Sequence, residues 1–174
     1  MPTAMSKLIE AECAIRQLHA RYADAVWRKD VDAFGACFAD DAVWRVGGME
    51  LVGRAAACAG FVGFTEVIER TLMTFRTPIV TVGEDGVSAR TYVTEHNKYA
   101  DGSASWSIGI YYERFVEGGA GSGDGWRFVW RHWQMYYHGP ADLSGSIHAA
   151  AEFGPPPGMP GEHDRALSRA EIWP

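Results

Sequence analysis

The sequence predicts an α+β fold in which helices come first and an antiparallel sheet follows. Apolar residues recur at helical spacing through the first thirty positions, whereas residues 87–137 form long runs rich in strand-forming residues. Two turn-forming segments, Glu84-Asp85-Gly86 and Ala100-Asp101-Gly102, mark hairpins between these runs. With 174 residues, one domain is the expected organisation.

The helical half begins with a long predicted helix from Ser6 to Lys29, which carries one continuous apolar stripe. Asp30 then has the side chain of a helix N-cap and predicts a short second helix from Val31 to about Phe38. We expect the acidic pair Asp40-Asp41 to end that helix and to start a strand.

The remaining elements follow from patterning. Ala42 to Val46 predicts a strand that ends at a Gly-Gly turn, and Gly53 to about Thr74 predicts a mostly helical segment. Four long strands are then predicted, at about Phe75–Val82, Val87–Tyr99, Ser103–Glu117 and Trp126–Tyr137.

The turn at 100–102 also predicts the register of its hairpin. A three-residue loop places Glu95 opposite Ser107 and His96 opposite Trp106. One face of the hairpin then carries small and polar side chains, and the other carries large apolar ones. Two arrangements are open on the residues alone: the apolar face forms the core, or the sheet curls over its polar face and buries the aromatic face against another subunit.

Composition excludes several classes of function. The net charge of −6 argues against nucleic acid binding, and no apolar run reaches the roughly 20 residues that a membrane helix needs. The first residues lack the apolar core of a signal peptide, so a cytoplasmic protein is expected. Cys13, Cys37 and Cys58 are widely spaced and odd in number, which predicts reduced thiols; we expect neither a metal nor a cofactor.

Two segments rich in glycine or proline frame the last strand. Residues 118–125 (GGAGSGDG) predict a flexible hairpin loop, and because a strand follows it, its glycines do not form a phosphate-binding loop. Residues 154–161 (GPPPGMPG) exclude helix and central strand. We therefore expect residues 1–138 to form the domain and residues 139–174 to form a tail that packs on the domain or on a partner subunit.

Several local motifs resemble the SnoaL-like branch of the nuclear transport factor two superfamily. They are Tyr22-Ala23-Asp24 with Asp30, Phe38-Ala39-Asp40-Asp41-Ala42-Val43-Trp44, Gly53-Arg54, and Gly125-Trp126-Arg127-Phe128 with Arg131. The resemblance covers about Ile9 to Tyr137, and it is greatest to the scytalone dehydratase and hexachlorocyclohexane dehydrochlorinase members. It implies a cystatin-like cone, in which a curled antiparallel sheet wraps on N-terminal helices around an internal cavity, with the Glu95 face inside.

The resemblance also indicates which catalytic groups are replaced. In those enzymes a helix aspartate and a histidine form a catalytic pair, and the matching positions here are Trp27 and Met73. Trp44 matches a pocket tryptophan, and Arg131 matches a pocket arginine. Chemistry driven by the aspartate–histidine pair is therefore not expected in this protein.

Glu95 is the main candidate for acid–base chemistry, because an enclosed apolar cavity would raise its pKa. The alternative is a structural ion pair with Arg131, which would keep Glu95 ionised and make it a base. His96 is a rival by local resemblance, although the hairpin register directs it outward, near Trp106. The hydroxyl of Tyr22 either polarises a substrate oxygen or only hydrogen bonds within the core.

The predicted pocket suits a flat, hydrophobic ligand such as an aromatic, terpenoid or polyketide-like molecule. Its predicted lining residues are Trp27, Trp44, Met73, Asn97, Ser107, Tyr111 and Trp133. One functional hypothesis is a cofactor-independent lyase, isomerase or dehydratase, in which Glu95 acts as base or acid and Arg131 stabilises developing negative charge. The other is a non-catalytic ligand-binding protein, or an accessory subunit resembling the small subunit of ring-hydroxylating dioxygenases.

The outer face of the sheet is the predicted site of self-association. A large apolar surface opposite the cavity favours a homodimer or a trimer. The residues expected there are Tyr92, Trp106, Ile108, Ile110, Tyr112 and Trp130.

Overall fold

Three helices and seven strands make up the part of the chain that the computed structural model describes, residues 3–118 and 125–147. The helices are α1 (Ala4–Arg28), α2 (Val31–Ala36) and α3 (Arg54–Val67). The strands are β1 (Phe38–Val46), β2 (Met49–Val52), β3 (Ile68–Phe75), β4 (Ile79–Gly83), β5 (Gly86–Tyr99), β6 (Ala104–Glu117) and β7 (Trp126–Gly139). Most of the predicted loop at 118–125 and the Pro/Gly-rich segment at 154–161 lie outside the described residues.

The strands form one sheet in the order β2-β1-β7-β6-β5-β3, and β4 pairs with β5 beside that path. All the ladders are antiparallel except the one between β1 and β7, which is parallel. The sheet curls over α1 and α3 without closing on itself. The predicted α+β cone, built from a curled sheet on N-terminal helices, is confirmed.

Helix α1 has a signal at each end. The hydroxyl of Thr3 accepts a hydrogen bond from the Ser6 amide at 3.1 Å, as an N-cap does, and the helix ends at Lys29, which is left-handed with φ 56°. The buried face of α1 includes Leu18 and Tyr22, which pack into the core between the helices and the sheet. This face supplies the side chains that approach the cavity from the helical side.

The boundary between the second helix and the first strand differs from the prediction, because β1 already begins at Phe38. Asp30 caps α2 as expected, accepting a hydrogen bond from the Ala33 amide at 2.9 Å. The acidic pair Asp40-Asp41, however, lies inside β1, at an irregularity in the ladder between β1 and β7. Both side chains point to solvent there, and Asp40 forms an ion pair with Arg54 at 2.9 Å. A strand that bulges outward therefore accommodates the two carboxylates.

The predicted helix from Gly53 to about Thr74 is wrong in its last third. Helix α3 ends at Val67, and the next eight residues form β3, which pairs with β5 from Ile68↔Tyr99 to Phe75↔Val93. Apolar residues in this segment occur at spacings that fit either a helix or a strand, and the exposed edge of β5 decides in favour of the strand. The next strand is accordingly shorter than predicted and begins at Ile79.

The hairpin of β5 and β6 has the predicted register. Glu95 pairs with Ser107 and His96 pairs with Trp106. Gly102 has φ 89°, a left-handed conformation that explains why glycine occupies the end of this turn. The polar and apolar faces of the hairpin are therefore assigned correctly.

Strand β7 contains an irregularity that shifts its side-chain alternation. Ile108 pairs with Tyr137, whereas the next residue of β6, Gly109, pairs with Met135. Tyr136 is thus an extra residue in β7, which is the definition of a β-bulge. Beyond it, side chains that strict alternation would direct outward point into the cone.

The outer face of the sheet is only partly exposed. Tyr92 is 44% exposed, whereas Ile110 and Tyr112 are fully buried in the single chain. Trp106, Ile108 and Trp130 are half-buried. No helix in the described part of the chain is long and apolar enough to cross a membrane.

Candidate active site

A cavity of about 460 Å³ lies between the curled sheet and the helices α1 and α3. The sheet contributes mainly polar and aromatic side chains, and the helices contribute mainly apolar ones. The lining residues are Tyr22, Val26, Lys29, Trp44, Val46, Gly47, Phe61, Phe64, Thr65, Ile68, Thr71, Met73, Glu95, Asn97, Tyr99, Ser107, Tyr111, Trp133, Gln134, Met135 and His138. This volume matches small-molecule sites.

Glu95 points into this cavity from the middle of β5. Its carboxyl group forms neither a hydrogen bond nor an ion pair with any residue in the described ranges. Burial raises the pKa of Glu95 to about 7, and the positive charge of Arg131 opposes this effect without overcoming it. The carboxyl group can therefore both hold and release a proton near neutral pH.

Arg131 lies beneath the cavity and does not line it. Its Nε donates a hydrogen bond to Glu113 at 2.8 Å, and both side chains are fully buried. Its guanidinium carbon lies 3.9 Å from the ring centroid of Tyr22 and 3.6 Å from that of Tyr111. The alternative of a structural ion pair between Arg131 and Glu95 is thus wrong, because Glu113 is the partner that neutralises the arginine.

Glu113 connects the arginine to α1. Its other carboxylate oxygen lies 2.8 Å from Nε2 of His19 and accepts a hydrogen bond from the hydroxyl of Thr91 at 3.2 Å. Burial alone would raise the pKa of Glu113, but His19 and Arg131 together hold it below its usual value. Glu113 is therefore an ionised, fully partnered carboxylate. Sequence reasoning missed this cluster, although continuing the β6 alternation two residues beyond Tyr111 places Glu113 on the inner face.

Tyr22 and Tyr111 separate the arginine from the cavity. Burial raises the pKa of both hydroxyls, against the opposing charge of Arg131. Both groups consequently remain protonated over the physiological pH range. Because the two hydroxyls hydrogen bond to each other, one of the pair is left to donate a hydrogen bond into the cavity. The predicted role of Tyr22 as a hydrogen-bond donor to a ligand is compatible with this position.

A row of hydrogen-bonded polar side chains crosses the sheet wall beside Glu95. The hydroxyl of Thr71 donates to Oδ1 of Asn97 at 2.8 Å, and Nδ2 of Asn97 donates to Oγ of Ser107 at 3.4 Å. Oγ of Ser107 in turn lies 3.0 Å from Nδ1 of His138. Asn97 and Ser107 were predicted to line the pocket, whereas Thr71 and His138 were not.

The predicted hydrophobic lining is largely where the sequence places it. Trp44, Met73 and Trp133 line the cavity, and the Trp133 ring stacks on Tyr111 with centroids 4.6 Å apart. Gly109 allows this arrangement, because a side chain there would overlap the Trp133 ring and the backbone of β7.

Besides Arg131, which was predicted to stabilise charge in the cavity directly, two predicted site residues lie outside it. Trp27 is 46% exposed at the end of α1 and lies under the guanidinium of Arg70, because the helix directs Val26 inward instead. His96 lies on the outer face of β5, 5.1 Å from the Trp106 ring, as strand alternation requires. The expectations that Trp27 lines the pocket and that His96 acts in it are therefore corrected.

Lys29 takes a place at the cavity that sequence reasoning did not assign to it. Its left-handed backbone turns the side chain toward α3, where Nζ donates a hydrogen bond to the Thr65 carbonyl at 3.0 Å. This contact ties the C-terminal ends of α1 and α3 together at the cavity. Within residues 3–118 and 125–147, no group of three or more histidine, cysteine, aspartate or glutamate side chains could hold a metal ion.

The fold and the cavity define a class: a cone-shaped pocket protein in which one carboxyl group and a row of polar side chains on the sheet face apolar side chains of the helices. The family model of the SnoaL-like domain matches residues 7–132 of the sequence, and the chain therefore belongs to the SnoaL-like domain family. No curated protein matches the chain.

Solved structures agree with this assignment. A candidate scytalone dehydratase from Novosphingobium aromaticivorans DSM 12444 has a TM-score of 0.70 at 16% identity, covering 91% of this chain and 99% of that one. A type 2 hexachlorocyclohexane dehydrochlorinase, LinA, has a TM-score of 0.68 at 18% identity, with 87% and 97% covered. A candidate aromatic ring hydroxylase from Novosphingobium aromaticivorans has a TM-score of 0.68 at 26% identity, with 79% and 98% covered. The first two likenesses show the common fold.

Proposed function

We propose that the protein is a cofactor-independent lyase, isomerase or dehydratase that acts by acid–base chemistry on a small hydrophobic molecule. The observation that carries the proposal is the Glu95 carboxyl group, which faces the cavity without an ion-pair partner and has a pKa of about 7. A general base is most effective when its pKa lies near the working pH. Glu95 on the sheet wall would carry out the proton transfer that the aspartate–histidine pair performs in the related enzymes, since Trp27 and Met73 occupy the positions of that pair here.

In the proposed mechanism, Glu95 removes a proton from a carbon next to a carbonyl group of the substrate. The electrons of the broken C–H bond move onto the carbonyl oxygen, where a hydroxyl of Tyr22 or Tyr111 donates a hydrogen bond to the developing charge. In a lyase the leaving group then departs with its electron pair, and in an isomerase Glu95 returns the proton to another carbon. Arg131 acts indirectly, holding the two tyrosine rings in place from below.

The aromatic and apolar lining supports an aromatic, terpenoid or polyketide-like substrate. Tyr22, Trp44 and Trp133 offer flat surfaces, and the cavity volume of about 460 Å³ accommodates a molecule of one to three rings. The likeness to a candidate aromatic ring hydroxylase at 26% identity is in keeping with a ring-containing ligand.

Proton exchange provides a test that does not depend on knowing the leaving group. 2-Tetralone, a flat bicyclic ketone, is incubated with the protein in D₂O, and the loss of its α-proton signals is followed by NMR. We expect the wild-type rate to exceed the background and to rise as pH increases through about 7, the pKa of Glu95. Glu95→Gln should return the rate to background, while Glu69→Gln, a change at an exposed glutamate, should leave it unaltered. Exchange by Glu95→Gln at the wild-type rate would exclude Glu95 as the base.

A second candidate function is a non-catalytic ligand-binding or accessory subunit. The replaced residues at Trp27 and Met73 favour it, as does the apolar outer face, where Tyr92 is 44% exposed. We propose that this face mediates a homodimer or a trimer in either case. Analytical ultracentrifugation of the protein and of Tyr92→Glu tests the interface, since a monomeric wild-type protein excludes it.

A further inference from the structure

His138 enters the cavity only because of the bulge in β7. Strict alternation from Trp133 would direct His138 to the outer face, but the extra residue at Tyr136 shifts the pairing so that His138 lies opposite Ser107. Ser107 faces the cavity, and so His138 does as well. Bulges of this kind often re-aim a side chain beside a functional site.

The bulge completes a line of three polar residues on three adjacent strands. Glu95 on β5 pairs with Ser107 on β6, and Ser107 pairs with His138 on β7. Since neighbouring strands lie about 4.8 Å apart, the backbones of Glu95 and His138 are roughly 10 Å apart, with Ser107 between them. The two ends differ in environment: Glu95 is desolvated, whereas His138 is exposed at the cavity opening.

The hydrogen bonds of the row leave one nitrogen of His138 for a ligand. Asn97 already donates to Oγ of Ser107, so the Ser107 hydroxyl can direct its own proton to Nδ1 of a neutral His138. The proton of the imidazole is then on Nε2. No contact of Nε2 occurs among the hydrogen bonds of the described residues, and the ring borders the cavity.

We propose that His138 is a specificity-determining residue that binds a second oxygen of the ligand. The inference rests on the proposed function, in which Glu95 acts near a first oxygenated carbon. The ligand would then be a hydrophobic molecule that carries two oxygen-containing groups along one edge, a few carbon atoms apart. The apolar side chains of α1 and α3 contact the opposite edge.

Two ketones of similar size distinguish this proposal from a merely hydrophobic pocket. 1-Phenyl-1,3-butanedione carries two oxygens, and 4-phenyl-2-butanone carries one; their dissociation constants are measured by isothermal titration calorimetry. We expect the wild-type protein to bind the diketone roughly three- to tenfold tighter, the contribution of one additional hydrogen bond. In His138→Phe the ratio of the two dissociation constants, monoketone over diketone, should fall below about two. His96→Phe, the same change on the outer face of the sheet, should retain the wild-type ratio.

The outcomes separate the two proposals. Equal binding of both ketones by the wild-type protein, or a ratio that survives in His138→Phe, overturns the role of His138 and leaves the proposed function intact. Binding of neither ketone by the wild-type protein overturns the proposed cavity ligand and, with it, the role of His138.

Discussion

Replacing Glu95 with glutamine should make the protein more stable at high pH, which is unusual for a substitution inside a cavity. Glutamine has nearly the same shape as a protonated glutamic acid, but it cannot ionise. The wild-type protein keeps the pKa of Glu95 at about 7 in the folded state, against an ordinary value of 4.5. The folded state therefore favours the protonated carboxyl group, and deprotonation weakens the fold.

The sign and size of the effect follow from this difference. A carboxyl group whose pKa is raised by folding contributes its full stability at pH values below about 4.5 and loses that contribution as pH rises through about 7. At about 1.4 kcal/mol for each tenfold change in proton affinity, the whole loss is about 3 kcal/mol. Glu95 is half-buried by accessible surface, and water at the cavity opening screens part of its charge, so about 2–3 kcal/mol is expected.

Urea denaturation at a series of pH values from 4.5 to 8.5 measures this loss. Glu95→Gln and the wild-type protein should have similar free energies of unfolding at pH 4.5, and the variant should be more stable by about 2–3 kcal/mol at pH 8.5. The exposed-site control Glu69→Gln should follow the wild-type curve throughout. A difference between Glu95→Gln and wild type that stays constant with pH would refute the desolvation of Glu95.

Three further predictions concern the surroundings of the cavity. Glu113→Gln should lower the free energy of unfolding by about 3–5 kcal/mol in urea denaturation, because Arg131 would retain a buried charge without its partner; a loss below about 1 kcal/mol would contradict this. Gly109→Ala should cost about 1–3 kcal/mol, seen as a lower Tm, since a methyl group would overlap the backbone of β7; an unchanged Tm would contradict this. Burial raises the pKa of Cys37 to about 11, so a thiol reagent at pH 8 should modify exposed Cys13 and reach Cys37 only after unfolding; rapid modification of Cys37 in the native protein would contradict its burial.

The inward direction of Glu95 could be predicted because two local signals agree. Turn chemistry at Ala100–Gly102 sets the hairpin register, and the two-residue period of a strand carries that register along β5 and β6. The partner of Arg131 could not be predicted in the same way. It depends on the register between β6 and β7, and the glycine-rich connection between them imposes no fixed length or turn type.

Other features depended on tertiary contacts that have no local signature. The segment Ile68–Phe75 has spacings that suit a helix as well as a strand, and only the open edge of β5 selects the strand. Nothing in the residues around Tyr136 indicates a bulge, so the inward position of His138 could not be foreseen. The resemblance predicted that Trp27 lines the pocket, but the last turn of α1 directs Val26 into the cavity and leaves Trp27 46% exposed.

The placement of Glu95 on the sheet wall has a stereochemical consequence. Glu95 approaches a bound molecule from the sheet, while Val26, Phe61 and Phe64 of the helices cover much of the other side with hydrocarbon. A flat substrate lying between these walls would exchange protons through only one of its two faces. Deuterium from the solvent would then enter a prochiral carbon with a single configuration.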